Sequence, residues 1–304
     1  MERSVNGVNG DDEMVDLAWC VLAWTADPSG QSKTREGALL GAALQRLASA
    51  PRTPEGWIAS PAPQLATAMA VVALGAPRDP QFDPVRLRLR RSLLKSTGTG
   101  GFGLGSNGKV PTGDLETTQW ALRALRGMEP PSPGTDDWAD PETRTRQAAG
   151  FVWACQVSSN TPAAETRGGF LRTPGTGTPT LASTSDGLLA ALFLGTATGD
   201  ERLVQAMDWM QRRMALELRP GGDEGNRFRG IPSCALALSA IRQDLLRHPD
   251  GRIEDWRYAL AKRLLDLQEL DGRWGSQLLT EAQRNRVTAQ AAFALEIVFH
   301  ALDH

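Results

Sequence analysis

The chain has 304 residues, 41% of them hydrophobic, with a formal net charge of −2, so it carries enough apolar side chain for a sizeable core and no general attraction to nucleic acid or an anionic membrane. No apolar run reaches the roughly eighteen residues that a membrane-spanning helix needs. The polar start MERSVNGVNGDDE lacks the apolar stretch of a signal peptide, and Cys20, Cys155 and Cys234 form an odd, scattered set, so reduced thiols and a cytoplasmic location are expected.

In chain order, a small-residue stripe VDLAWCVL begins at Val15, and an amphipathic stretch TREGALLGAALQRLASA begins at Thr34. The turn EGWIAS, with Trp57, leads to the stripe TAMAVVAL from Thr67 and the charged stretch PVRLRLRRSLLKS from Pro84. GGFGLG, with Phe102, leads to TQWALRAL from Thr118 and then, past an insert from Pro130, to TRQAAGFVWACQ from Thr145. A second insert from Ser158 contains the turn GGFLRT, with Phe170, ahead of SDGLLAAL from Ser185 and ERLVQAMDWMQRRMALEL from Glu201. NRFRG, with Phe228, reads as the next turn, before CALALSAI from Cys234 and EDWRYALAKRLLDLQEL from Glu254. DGRWGS, with Trp274, precedes the last stripe, TAQAAFAL from Thr288.

Six stripes at intervals of about fifty residues form a repeat of one structural unit. The small and aliphatic positions, at offsets zero, three, six and seven, share one helix face, so each stripe predicts a helix. Small side chains there let helices approach closely. The intervening stretches carry their Arg, Lys and Glu on one side, as solvated helices do. Glycine ends each unit with unusual backbone angles and the aromatic fills the gap between helices. The expected fold is all-α, an (α/α)6 toroid of six inner and five or six outer helices. A single domain over residues 11–304 follows a disordered segment of residues 1–10.

The segment QELDGRW, with Gln268, Gly272 and Trp274, and the segment QAAGFVWACQ, with Ala148, Phe151, Val152 and Gln156, carry a likeness. This pattern resembles the repeat of the terpenoid cyclase and protein prenyltransferase superfamily, squalene-hopene cyclases included, over about residues 11 to 302. The resemblance implies an (α/α)6 barrel and an isoprenoid or other apolar small molecule as partner. Class II cyclases of that superfamily protonate an alkene or epoxide with an Asp-x-Asp-Asp motif just before an inner-helix Thr. In GDLETTQWALRAL, Asp114 matches the first Asp, Glu116 the second and Thr117 the third. The resemblance therefore implies Glu116 as proton donor and Asp114 as the group that polarises it. The chemistry needs one carboxyl held protonated, which burial beside a like charge achieves.

Asp16 and Asp186 read as the same register of their repeats and are expected to face the central cavity, with Trp19 and Trp120 lining it. DDEMVD resembles the aspartate-rich magnesium motif of class I synthases, but no second metal motif accompanies it. A prenyltransferase zinc site would need an Asp where Pro232 stands, two residues before Cys234. No metal and no cofactor is expected. A different reading fits the same residues: Asp114 and the acids near Asp16 as helix caps in a non-catalytic toroid that binds a peptide, lipid or protein partner through its long loops.

Overall fold

The computed structural model describes residues 12–26, 35–95, 100–103, 113–126, 141–158, 160–161, 163–217, 224–248, 250–275 and 279–302. The expected N-terminal segment of residues 1–10 and most of the insert from Pro130 lie outside the described residues. Within them the fold is all-α, with eleven α-helices and one two-stranded sheet.

The six stripes fall in α1 (Glu13–Ala26), α3 (Pro63–Gly75), α5 (Leu115–Leu125), α7 (Leu181–Phe193), α9 (Glu224–Ile241) and α11 (Glu281–Leu302). The charged stretches form α2 (Arg35–Ser49), α4 (Asp83–Leu94), α6 (Pro141–Cys155), α8 (Glu201–Glu217) and α10 (Trp256–Asp266). Strands β1 (Leu245–Arg247) and β2 (Ile253–Asp255) pair antiparallel between α9 and α10.

Helix packing closes on itself. Each stripe helix packs against the next, from α1 through α3, α5, α7 and α9 to α11, and α11 packs back against α1. The charged helices lie against this cycle: α2 on α1 and α3, α4 on α3 and α5, α6 on α5 and α7, α8 on α7, and α10 on α11. Burial follows the same division. In α3 and α7 nearly every residue is buried, whereas α4 buries only Leu89, Ser92, Leu93 and Leu94.

A threonine clamp recurs in four cycle helices, in the first or second turn of α3, α5 and α7 and about two turns into α11. The hydroxyls of Thr67, Thr118, Thr184 and Thr288 accept the backbone N–H of Ile58, Phe102, Phe170 and Trp274 at 2.8, 3.0, 3.0 and 3.2 Å. Each clamped residue lies two positions after a glycine at φ of +88°, +96°, +83° or +81°, namely Gly56, Gly100, Gly168 and Gly272. That left-handed backbone is open to glycine at little cost.

The clamp corrects three sequence expectations. In the first turn Ile58 takes the clamped position and Trp57 stands one residue earlier, its indole donating to Ser92 O at 2.9 Å. In the fourth repeat Thr184 and not Ser185 is the clamp, while Ser185 bonds back to Leu181 O at 2.7 Å. Phe228 is no turn residue at all: it lies inside α9, four residues before the internal Pro232. Gly230, where a Cβ would come within 3.1 Å of Ala182, lets α9 approach α7 closely there.

Candidate active site

Counting from the clamp places side chains in layers. Two residues is about 200° of helix, so positions two before and two after a clamp lie opposite it, one turn apart, facing the interior of the cycle. Two before stand Leu65, Glu116, Ala182 and Arg286; two after stand the buried Met69, Trp120, Asp186 and Gln290. One contact across the cycle bears this out: Trp19 of α1 meets Trp120 of α5, which is not its neighbour, edge to face at 5.4 Å, and it also meets Phe293 of the neighbouring α11 at 5.8 Å.

The charged members of the first layer are ion-paired. Glu116 pairs with Arg229 of α9 and lies 3.8 Å from Nη2 of Arg172. Asp16 pairs with Arg286 of α11. Asp114 is the N-cap of α5: it accepts from the Thr117 N–H at 3.1 Å and from the Thr117 hydroxyl at 2.7 Å, with Arg172 Nε at 3.9 Å. Arg172 comes from the insert that begins at Ser158, and its carbonyl accepts the Leu115 N–H at 3.0 Å. That insert thus reaches the start of α5, where it ties down the first turn and delivers a guanidinium to both acids.

One turn further in, Asp186 is buried and Ser233 of α9 donates to its Oδ1 at 2.7 Å. Burial pushes its carboxyl up to about 7; the Ser233 hydrogen bond and Arg172 oppose that shift and the Asp114 charge adds to it. A carboxyl poised near neutrality can give a proton at physiological pH. Asp186 stands at the place in its repeat that Trp120 holds in the preceding one, so acid and aromatic share a layer. Burial also lowers Arg229, with Asp114 raising it and Arg286 lowering it further, and burial holds the Cys155 thiol near 12 with help from Asp114.

The structure thus links Asp114 and Glu116 through Arg172, places Asp186 within reach of the Asp114 and Arg172 charges, and pairs Asp16 with Arg286. Asp16 and Asp186 do not share a register. Counted from the capping residue, Asp16 is four beyond Asp12, which accepts from the Val15 N–H, whereas Asp186 is six beyond the cap Thr180. Four beyond the cap is the place that Thr118 holds after Asp114 and Thr184 after Thr180; from there Asp16 pairs with Arg286, whereas Asp186 stands at the place of Trp120. The sequence reading missed Arg172, Arg229, Arg286 and Ser233. Arg286 was within reach, since it stands two residues before Thr288 as Glu116 stands two before Thr118.

Among the described residues no group of three or more His, Cys, Asp and Glu converges as metal ligands, and no helix is long and apolar enough to cross a membrane. The three cysteines are free thiols. No protein-family model and no curated protein matches the chain.

Proposed function

We propose that the chain is a single-domain (α/α)6 toroid of the terpenoid cyclase-like kind, located in the cytoplasm, that handles an isoprenoid or similar apolar molecule by protonation-initiated cyclisation. The observation that carries this reading is Asp186, a buried acid near neutrality at the place in its repeat that Trp120 holds in the preceding one. Ser233 occupies its Oδ1, so Oδ2 bears the transferable proton. That proton would pass to an alkene carbon of the substrate, leaving a carboxylate near Arg172 and a carbocation facing Trp19, Trp120 and Phe293, whose π faces favour positive charge. Loss of a proton from a later cation to water ends the sequence, and Asp186 regains its proton from solvent. Glu116, engaged by Arg229 and Arg172, then acts as a counter-charge and not as the donor that the motif match implied. The reaction class needs no cofactor.

A second reading, a non-catalytic toroid that binds a peptide, lipid or partner protein, is favoured by the capping role of Asp114 and by the edge-to-face packing of Trp19 on Trp120 and Phe293. Incubation with squalene and geranylgeranyl diphosphate, followed by product analysis, separates the two. The enzyme reading expects cyclised product from wild type, a loss of at least about a hundredfold in Asp186→Asn and a smaller loss in Glu116→Gln and Asp114→Asn. No product from any folded form would leave the binding reading in place.

A further inference from the structure

A second site lies outside the cycle. Between the end of α2, the turn 52–58 and α4 there is a cleft of about 420 Å³, lined by Arg52, Arg88, Arg91 and Lys95 over the apolar Val85 and Leu89. Arg88, Arg91 and Lys95 come three and four residues apart, so one face of α4 presents all of them. Arg52 comes from the neighbouring turn, which is rigidly built. Its Nη2 donates to Ala48 O at 3.0 Å, Thr53 N–H donates to Trp57 O at 2.8 Å, and the Trp57 indole fastens the turn to α4 through Ser92 O at 2.9 Å.

Among the described residues no ion pair joins a carboxylate to Arg52, Arg88 or Lys95, and Glu55, the one acid that lines the cleft, makes none with them. Burial and the Arg88 charge both depress Arg52, so these two cations feel each other across the cleft. Like charges held convergent over an apolar floor repel, and an anion between them removes the repulsion. Guanidinium forks match phosphate oxygens geometrically. The chain as a whole has a net charge of −2, so the basic cleft is a local feature and not a consequence of overall composition.

We propose that this cleft is a binding site for a phosphate monoester with an apolar substituent, its phosphate held by Arg52, Arg88 and Lys95 and its substituent against Val85 and Leu89. The site is independent of the proposed chemistry inside the cycle. Binding is read from the Trp57 indole N–H resonance and by calorimetry, with phenyl phosphate, inorganic phosphate and benzyl alcohol as probes. A parallel sedimentation assay uses phosphatidylcholine vesicles with and without phosphatidylglycerol.

The expected result is saturable binding of phenyl phosphate, tighter than inorganic phosphate, with no binding of benzyl alcohol. Arg52→Gln and Arg88→Gln should each weaken it about tenfold or more, while Arg146→Gln on α6 leaves it unchanged. Binding of phosphatidylglycerol vesicles alone, lost in the same two variants, would assign the cleft to a phosphodiester headgroup and overturn the monoester assignment. The absence of both kinds of binding, or binding indifferent to Arg52→Gln and Arg88→Gln, would overturn the proposal.

Discussion

Replacing Asp186 with Asn should change how the protein's stability depends on pH. Burial pushes the Asp186 carboxyl up to about 7 in the folded chain from an ordinary value of 3.8. Between those values the folded state holds a proton that the unfolded state has released, so stability is fully present below about pH 4, falls as pH rises, and levels off above about pH 7. At about 1.4 kcal/mol per pH unit the whole span is worth on the order of 4 kcal/mol, of which about 3 kcal/mol lies between pH 5 and pH 8. Asn keeps the acceptor for Ser233 and cannot ionise, so Asp186→Asn should lack this drop. Urea unfolding of both proteins at pH 5, 6, 7 and 8 measures the difference curve, in which every other titrating group cancels. The variant should gain about 3 kcal/mol relative to wild type across that range. Parallel curves would mean that Asp186 does not carry its proton to neutrality, and the case for it as a donor would fail with them.

Three further substitutions test the framework. Gly187→Ala in the interior of α7 would ordinarily stabilise a helix by about 1 kcal/mol, but its Cβ would lie 2.4 Å from the Phe170 ring, so thermal unfolding should instead show a loss of about 1–3 kcal/mol. Thr118→Val leaves the Phe102 N–H without its acceptor and should cost about 1–3 kcal/mol in chemical unfolding, with Thr118→Ser restoring most of it. Glu116→Gln removes the counter-charge of the largely buried Arg229 and should cost about 3 kcal/mol, while the double variant Glu116→Gln with Arg229→Met should recover much of that; equal losses in both would show that the pair contributes little.

The helices were legible in the sequence because each repeat writes its own periodicity locally: all six stripes lie in helices and each charged stretch contains one, although the stretch from Glu254 opens in β2 and runs past the end of α10. Registers were less so. Trp57 drew attention by size, yet the glycine at φ +88° sets the count, and that count puts Ile58 under Thr67. Phe228 looked like a turn beside Gly230 and Pro232, but close packing of Gly230 on Ala182 outweighs the hydrogen bond that proline forgoes within α9. The site was half legible. Asp114 and Glu116 stood out because they match an acid motif just ahead of Thr118, whereas the cationic partners in this cluster arrive from elsewhere in the chain, Arg229 from 113 residues beyond Glu116 and Arg286 from 270 beyond Asp16. Local pattern has no means of pairing such residues until the cycle closes.

Turnover in D2O tests the proton-donor role of Asp186 most directly. Squalene and geranylgeranyl diphosphate are incubated with wild type and with Asp186→Asn, and the products, those from the diphosphate after dephosphorylation, are analysed by mass spectrometry. Wild type should yield cyclised product carrying one deuterium at the carbon that initiates ring closure, and Asp186→Asn should yield essentially none. Cyclised product without deuterium, or unchanged labelled product from Asp186→Asn, would contradict it.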